Sequence, residues 1–180
     1  VKVLSLFDGI SCGMVALERA GIKVDRYVAY EIEPNAIKIS KKNYPQIEHC
    51  GDVTTADFTQ YKGFDLLIGG SPCQDLCGMG SREGLAGEKS KLFFEFVRAL
   101  KEVQPRYFLL ENNARMTKEN RDIISSYMSC EPVLINSADF SAQTRKRLYW
   151  TNIPIGEYEP KNTLIQDILQ NDIPRECVTD

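Results

Sequence analysis

The sequence has 180 residues, is 43% hydrophobic, and carries a formal net charge of −3 with a pI near 5.4. A chain of this length can bury one core and most simply forms a single domain, and without an apolar run that could span a bilayer or a basic leader we expect a cytoplasmic, intracellular protein with no membrane partner. Lysine and arginine supply most non-specific DNA affinity, so a DNA-binding role would require clustered basic residues or help from another chain.

Strand and helix patterns alternate through most of the chain. Apolar β-rich runs predict strands, and apolar residues at helical spacing predict helices. The predicted elements are strands at 1–6, 26–31, 47–50, 64–70 and 106–113, with helices at 13–20, 34–43 and 91–103. Repeated βαβ units predict an α/β, Rossmann-like fold with a mostly parallel sheet and helices on both faces.

The last part of the chain is patterned differently. Segments 132–135 and 147–153 are predicted strands, close enough in sequence to pair. After Pro154 the pattern weakens, and only a short helix over 163–169 is predicted. The aromatic side chains of the helix at 91–103 and of the strand at 147–153 are interpreted as core: Phe93, Phe94, Phe96, Tyr149 and Trp150.

Cys73 directly follows a predicted buried strand, within Ser71-Pro72-Cys73-Gln74-Asp75. Open parallel sheets place their ligand sites at the carboxyl ends of strands. Most intracellular cysteines are small buried hydrophobes, but here Pro72 fixes the preceding backbone, while Gly69 and Gly70 leave space for a ligand. The pattern predicts a presented cysteine and a candidate nucleophile.

Two further segments carry groups that such a nucleophile would need. The strand at 106–113 ends in Glu111-Asn112-Asn113, which is a carboxylate followed by two amides. Arg145 and Arg147 are two positions apart, so on an extended backbone both would face one anionic or polar ligand.

The remaining cysteines do not indicate a disulfide framework or a zinc site. The six cysteines are scattered through ordinary α/β patterning, and we interpret them as reduced thiols. Cys73 and Cys77 lie four positions apart, yet no second cysteine pair follows and His49 is the only histidine. Structural zinc is therefore not expected, and no metal is predicted.

A glycine-containing loop after the first strand indicates a cofactor site. Asp8-Gly9-x-x-x-Gly13 opens a helix, but it is not the three-glycine dinucleotide fingerprint, which weakens a nicotinamide-dependent alternative and favours a cofactor without phosphates. Glu31 ends the second strand, where it could accept ribose hydroxyls, and Asp52 follows the third, where it could reach an adenine amine. The alternative for each carboxylate is a solvated loop position.

Together these blocks resemble the cytosine-C5 DNA methyltransferases. The resemblance extends from Val1 to about Pro154. The sequences of segments 4–10 and 92–96 are similar to those of the mammalian de novo enzymes, although a phage or bacterial member fits equally. Four blocks in the family's order carry it: Asp8-Gly9-Ile10-Ser11-Cys12-Gly13, Pro72-Cys73-Gln74, Glu111-Asn112 and Gln143-Thr144-Arg145-Lys146-Arg147.

The resemblance implies the S-adenosylmethionine-dependent methyltransferase fold, with an antiparallel strand near the C-terminus. It also implies that Phe7 packs on the adenine, Glu31 holds the ribose, and Asp52 with Val53 contacts the adenine edge. The full implied set of cofactor residues is Phe7, Asp8, Gly9, Gly13, Glu31, Ile32, Asp52, Val53 and Pro72.

The resemblance further implies covalent catalysis on double-stranded DNA. The Cys73 thiolate would attack C6 of a flipped cytosine, Glu111 would act at N3, and Arg145 and Arg147 would orient the base and keep both groups in working protonation states. The glycine-rich segment 77–87 is interpreted as a lid that closes on DNA, with Arg82 as a groove or phosphate contact.

We expect 1–156 to be the catalytic domain and 157–180 a C-terminal extension, the start of a truncated or missing target-recognition region. A complementing recognition chain or domain is therefore an expected partner, and restriction-modification is one expected setting. Two alternatives stay open: a catalytically incomplete regulatory or binding module, and a transfer-RNA cytosine-C5 methyltransferase, whose Cys-Phe-Thr tripeptide is absent from this sequence.

Overall fold

The computed structural model of the chain describes residues 1–72 and 92–169. Four predictions concern positions outside the described residues: the nucleophile Cys73, Cys77, the lid over 77–87, and Arg82. The end of the expected C-terminal extension, from 170 to 180, also lies outside them.

Strands and helices alternate as predicted through the first two thirds of the chain. Two 3-10 turns, Val53–Thr55 and Phe58–Tyr61, lie between the third and fourth strands. The strands are β1 Lys2–Leu6, β2 Arg26–Tyr30, β3 Glu48–His49, β4 Leu66–Gly69, β5 Tyr107–Asn113, β6 Val133–Asn136 and β7 Lys146–Thr151, and the helices are α1 Cys12–Arg19, α2 Pro34–Asn43, α3 Leu92–Val103 and α4 Lys118–Met128.

The strands form one seven-stranded sheet in the order β3-β2-β1-β4-β5-β7-β6. The first five strands in this order, from β3 to β5, are parallel to one another. Strand β7 is antiparallel to both β5 and β6. This confirms the predicted mostly parallel sheet with an antiparallel strand near the C-terminus. The strand order reverses between β1 and β4, and such a switch point opens a crevice at the carboxyl ends of the strands.

The core lies on both faces of the sheet because parallel strands are covered by helices on each side. In β1, Leu4 and Leu6 belong to the larger apolar cluster, whereas Val3 belongs to the smaller cluster with Met14 and Leu17 of α1. The predicted core residues Phe93, Phe96 and Trp150 are fully buried, and Phe94 and Tyr149 are partly buried. The core interpretation is therefore confirmed for the three phenylalanines and Trp150, which form or pack against the larger apolar cluster, whereas Tyr149 belongs to neither cluster.

Helix α4 was not predicted from the sequence, because its apolar spacing is weak. It begins after Thr117, whose side chain accepts a hydrogen bond from Asn120 N at 3.3 Å, and it buries Ile124 and Met128 one turn apart. Ser125 of α4 accepts a hydrogen bond from Trp150 Nε1 at 2.9 Å. A cap and tertiary packing therefore define this helix more than its own pattern does.

Of the two short elements that were predicted, the helix was wrong and the strand is confirmed over a shorter range. The predicted helix over 163–169 is only a 3-10 turn, Ile165–Asp167, and its large apolar side chains Leu164, Ile165 and Ile168 are exposed. The predicted strand over 47–50 is paired at only two residues. Within 1–72 and 92–169, the helices are too short and too polar for any of them to cross a membrane.

Candidate active site

A pocket of about 160 Å³ opens at the carboxyl ends of the parallel strands, beside the switch point. It brings together six of the residues predicted to hold a cofactor: Phe7, Glu31, Ile32, Asp52, Val53 and Pro72. Tyr30, Gly51 and Leu92 also line it and were missed, although Tyr30 and Gly51 adjoin predicted residues in the sequence. We call this cavity the cofactor pocket.

The Glu31 carboxylate is held by backbone amides on both of its oxygens. Oε1 accepts from the N–H groups of Ile32 at 2.8 Å and Glu33 at 2.9 Å, and Oε2 accepts from Gly9 N at 2.8 Å. These bonds fix the direction of the carboxylate. Oε1 uses both of its lone pairs on backbone amides, whereas Oε2 keeps a second lone pair, so Glu31 can still accept a ligand hydroxyl there.

Asp52 caps the 3-10 turn that begins at Val53. Its Oδ1 accepts from both the backbone N and the hydroxyl of Thr54, at 2.8 and 2.9 Å. Among the described residues Oδ2 has no recorded hydrogen bond, so it can serve a ligand that donates, such as an amine. Val53 is buried beside it and supplies apolar surface to the cofactor pocket.

The loop between β1 and α1 has a backbone that residues other than glycine adopt at a cost. Phe7, Gly9 and Ser11 all have positive φ angles, of 57°, 60° and 65°. Side chains rarely occupy this left-handed region, and such positions cluster at functional sites. The turn at Phe7 ends β1 and places this residue in the lining of the cofactor pocket.

Three other predicted cofactor residues, Asp8, Gly9 and Gly13, are outside the lining of the cofactor pocket as the structure describes it. The Asp8 carboxylate instead accepts hydroxyls from Ser5 at 2.6 Å, Tyr27 at 2.7 Å and Ser11 at 2.5 Å. Burial and then the Asp8 charge raise the pKa of Tyr27. Asp8 therefore anchors the loop between β1 and α1 through hydrogen bonds to Ser5, Ser11 and Tyr27.

Gly13 allows α1 to approach the sheet closely. A Cβ atom at this position would lie 2.3 Å from Ile68 Cδ1 and 2.7 Å from the Tyr27 hydroxyl. A glycine early in this helix therefore serves helix-to-strand packing, which is one of the roles of glycines in nucleotide-binding loops.

The lining of the cofactor pocket tests which ligand chemistry it suits. In the described part of the chain it contains two carboxylates and mainly apolar side chains, and neither lysine nor arginine. A phosphate group would meet no cation there, whereas ribose hydroxyls, an adenine amine and a positive charge are complementary to Glu31 and Asp52. The pocket therefore fits a nucleoside cofactor without phosphates.

A carboxylate–guanidinium pair lies at the adjacent strand ends. Arg147 Nε lies 2.6 Å from Glu111 Oε1, across the antiparallel pair of β5 and β7. A Cβ atom on Gly70 would lie 2.9 Å from Glu111 Oε2. The Glu111 carboxylate thus lies between a cation and the backbone of Gly70, three residues before Cys73.

Gly69, the last residue of β4, and Gly70 do not leave the predicted space for a ligand. A Cβ atom on Gly69 would lie 3.0 Å from both the Leu6 carbonyl oxygen and the Phe96 ring, and Gly70 faces Glu111. The expectation of open space was therefore wrong, because protein atoms fill it. Glycine at 70 is required so that the Glu111 carboxylate can approach the backbone.

Asn112 holds the segment that leads to Cys73, a role the sequence analysis missed. The Asn112 side chain is 2% exposed, and its Nδ2 donates to the carbonyl oxygen and the hydroxyl of Ser71, both at 3.3 Å. Its Oδ1 accepts from Asn113 N at 2.7 Å. The sequence signal was its place after Glu111 at a strand end, but its partner is 41 positions away.

The two predicted arginines share a surface. Arg145 is exposed, Arg147 is partly buried, and both line an open pocket of about 570 Å³. Burial raises the pKa of Tyr149, Glu111 raises it further, and the charges of Arg147 and Arg145 both oppose that rise. Arg115 and Lys146 also line this pocket, and the sequence analysis did not single them out.

The described residues contain no cluster of three or more histidine, cysteine, aspartate or glutamate side chains that could hold a metal ion. The candidate active site thus consists of the cofactor pocket, a carboxylate–guanidinium pair and a basic surface. All three lie at the ends of strands from one sheet.

Comparison with known proteins agrees with this arrangement. The family model of the C-5 cytosine-specific DNA methylases matches residues 1–176. The chain belongs to that family. Its sheet also resembles a crystal structure described as a DNA modification methyltransferase encoded within an E. coli prophage, with a TM-score of 0.72, 24% identity, and coverage of 93% of this chain and 53% of that one.

The curated relatives include phage and bacterial proteins. An orphan methyltransferase of Bacillus phage rho11s is 34% identical over 161 residues, covering 83% of this chain and 32% of its own length. A type II methyltransferase of Fusobacterium nucleatum is 30% identical over 199 residues, covering 97% of this chain and 57% of its own length. The chain therefore spans from a third to just over half of these relatives.

Proposed function

We propose that this chain carries the catalytic region of a DNA cytosine-C5 methyltransferase that uses S-adenosylmethionine. One observation supports this most directly: the three residues before Cys73 each belong to a different part of the site. Gly70 faces the Glu111 carboxylate, Ser71 is held by Asn112, and Pro72 lines the cofactor pocket. A nucleophile at the next position would have an acid, an anchor and a methyl donor around it.

The cofactor pocket would hold the nucleoside part of S-adenosylmethionine. Phe7 and Val53 would pack on the adenine, Glu31 would accept the ribose hydroxyls, and Asp52 Oδ2 would accept from the adenine amine. Ile32 and Pro72 would supply apolar walls, while Asp8, Gly9 and Gly13 would shape the loop. When bound, the sulfonium supplies an electrophilic methyl group.

Cytosine C5 needs activation, because the ring is aromatic and C5 is a weak nucleophile. The Cys73 thiolate would form a bond to C6, and the displaced electron pair would make C5 nucleophilic. Glu111 would donate a hydrogen bond or proton at N3 and so stabilise the charge that develops in the ring. After methylation, the C5 proton would pass to solvent and the N3 proton would return to the Glu111 carboxylate, which would restore the C5–C6 double bond and expel the Cys73 thiolate.

Arg147 and Arg145 would have different tasks. Arg147, paired with Glu111, would hold the carboxyl group towards the base. Arg145 is exposed beside it and would bind the cytosine carbonyl oxygen or the strand that carries the base. A base within a duplex cannot reach these groups, so the target cytosine would be flipped out of the stack.

A DNA substrate also agrees with the charge distribution. With a net charge of −3, DNA binding would require the basic residues to cluster. One pocket is lined by four of them, Arg115, Arg145, Lys146 and Arg147, and its described lining contains no carboxylate. Phosphate groups of DNA would be attracted to this surface. The type II relatives support a role in restriction-linked DNA methylation.

We also propose that residues 1–156 form the catalytic domain and that 157–180 begin a target-recognition region. The relatives are longer than this chain, so recognition would need further residues or a complementing chain.

The test is transfer of labelled methyl from S-adenosylmethionine to unmethylated duplex DNA, with transfer RNA as a second substrate and Cys73→Ala beside the unaltered chain. Label on DNA that disappears in Cys73→Ala is expected. Label on RNA alone would contradict the proposed substrate. No label on either, even with a candidate recognition subunit added, would favour a regulatory or binding module.

A further inference from the structure

A partly buried series of side chains connects the only histidine of the sequence to the loop that contains Asp8. His49 Nε2 lies 3.1 Å from Ser40 Oγ, Ser40 Oγ lies 2.6 Å from Ser11 Oγ, and the Ser11 hydroxyl donates to Asp8 Oδ2. Ser11 and Ser40 are both fully buried. We call these four residues the His49–Asp8 network. Apart from Asp8, which would shape the cofactor loop, the proposed catalytic scheme uses none of these residues.

The protons in this network can be counted. Asp8 also accepts the hydroxyls of Ser5 and Tyr27 on Oδ1, so both of its carboxyl oxygens act as acceptors in this arrangement. Each serine hydroxyl has one proton. Ser11 donates its proton to Asp8 and must accept from Ser40, and Ser40 must then accept from His49. The count therefore puts the imidazole proton on Nε2.

An independent observation agrees with the count. His49 Nδ1 is a buried atom for which the described residues provide no hydrogen-bond partner. A lone pair is tolerated there more easily than an N–H group, because a buried donor without an acceptor loses its full hydration. Reversing the direction of every bond would place a proton on Nδ1 and bury that donor.

We propose that His49 is a positioning residue for the cofactor loop. By donating from Nε2 it fixes the direction of the hydroxyl bonds that end on Asp8. Asp8 in turn holds the strained loop in which Gly9 N reaches Glu31 and Phe7 lines the cofactor pocket. The identity of the ligand that this loop binds rests on the proposed function. The His49 tautomer and the hydrogen bonds of the His49–Asp8 network do not depend on it.

Burial favours the neutral form of His49. It lowers the pKa of the imidazole and is the largest effect, whereas the Asp8 charge raises the pKa, Lys41 lowers it, and Glu31 raises it least. Protonation would add a hydrogen to buried Nδ1, which has no acceptor among the described residues. The imidazolium form would therefore bury an unpaired N–H donor beside the network, while its Nε2–H still donated to Ser40.

The tautomer can be measured directly, because the chain contains one histidine. Long-range proton–nitrogen correlation spectra of the full chain, labelled with nitrogen-15 in histidine, report which ring nitrogen carries the proton. We expect a single Nε2–H form near neutral pH, and a mixture of tautomers in Ser40→Ala. An Nδ1–H form in the unaltered chain, or a ring that is insensitive to Ser40→Ala, would overturn the proposal.

A binding experiment tests the positioning role. His49→Leu removes the donor, whereas His49→Gln keeps an N–H group at a similar place. Loss of one buried hydrogen bond predicts about tenfold weaker S-adenosylmethionine binding for His49→Leu and Ser40→Ala, with most of the affinity restored in His49→Gln. Ser125→Ala is the matched control, since it removes a buried serine that bonds Trp150 on the other part of the sheet.

The two proposals fail in different ways. If His49→Leu binds the cofactor as tightly as the unaltered chain, or if Ser125→Ala weakens binding equally, the positioning role is wrong. If the unaltered chain does not bind S-adenosylmethionine at all, the proposed function is in question, and the tautomer measurement still decides the network.

Discussion

Arg147 Nε and Glu111 Oε1 are 2.6 Å apart although their residues belong to strands that run in opposite directions. In the register of β5 and β7, Glu111 is opposite Tyr149 and Arg147 is opposite Asn113, so the pair forms diagonally on one face of the sheet. The antiparallel strand β7 thus delivers a cation to the carboxyl end of a parallel strand. A purely parallel sheet would present only carboxyl ends at this edge.

Arg147→Met tests this pair. We expect methyl transfer to fall about a hundredfold, because the Glu111 carboxyl loses the group that orients it, and we expect a stability loss of about 1–2 kcal/mol from a half-buried charge without its partner. Steady-state kinetics and thermal unfolding measure the two effects. Arg121→Met is the control, since Arg121 is 3.9 Å from Asp122 on the exposed surface. Equal losses in both variants would contradict a specific role.

Gly70→Ala tests the contact between Glu111 and the backbone before Cys73. The added Cβ would lie 2.9 Å from Glu111 Oε2, so the carboxylate must move by a few tenths of an ångström. We expect a clear drop in kcat with unchanged affinity for S-adenosylmethionine and little change in Tm. At Gly156 no atom lies within 4 Å of an added Cβ, so Gly156→Ala should behave like the unaltered chain. Unchanged kcat in Gly70→Ala would rule out the contact as functional.

Asn112→Ala tests the anchor of the segment before Cys73. The change removes two hydrogen bonds to Ser71 and one from Asn113 N in a buried site, which predicts a stability loss of about 2–3 kcal/mol and a lower rate of methyl transfer. Chemical denaturation and the labelled-methyl assay measure these. Asn43→Ala removes an exposed amide that bonds the Ile39 carbonyl and should change neither. A stability loss with full activity would assign Asn112 to folding alone.

Arg98→Lys tests whether Arg98 supports the turn at Val53, which lines the cofactor pocket. The Arg98 guanidinium donates to the carbonyl oxygens of Val53 at 3.1 Å and Ala56 at 2.9 Å, and it lies 4.3 Å from the centre of the Phe58 ring. Lysine cannot make these contacts together. We expect a several-fold rise in KM for S-adenosylmethionine with little change in kcat.

Arg26→Lys is the control for the Arg98 prediction. The Arg26 guanidinium makes two hydrogen bonds to the Glu48 carboxylate, both at 2.8 Å, and lies 5.4 Å from the centre of the Phe64 ring. Its side chain is more exposed than that of Arg98. A change of KM in this control as large as in Arg98→Lys would show a general loss of arginine contacts.

The pH dependence of stability should carry the signature of His49. Burial lowers its pKa in the folded chain below the ordinary value of 6.5, so the unfolded chain binds the proton more readily. His49 therefore contributes stability that is complete above pH 6.5 and is lost as the pH falls through the folded-state pKa. Urea denaturation between pH 8 and pH 5, compared with His49→Gln, isolates this effect. A difference that grows in favour of the unaltered chain on acidification would have the wrong sign.

The sequence by itself determined the class of fold and the places of most candidate site residues. Strand and helix periods are local, so they located β1, β2, β4 and β5 and the residues that follow them, and the four ordered blocks identified the family. Cys73, Glu111, Glu31 and Asp52 could be singled out as candidates because a polar residue after a buried strand is visible in the sequence alone.

Only the tertiary structure decided which of these side chains meet. The bond from Asn112 to Ser71, the bonds from Arg98 to the turn after Asp52, and the His49–Asp8 network join residues far apart in the sequence. Helix α4 was missed, and Gly70 was misread, for the same reason. A local pattern reports which face of an element is buried, but strand register and helix crossing determine which atoms fill the space opposite it.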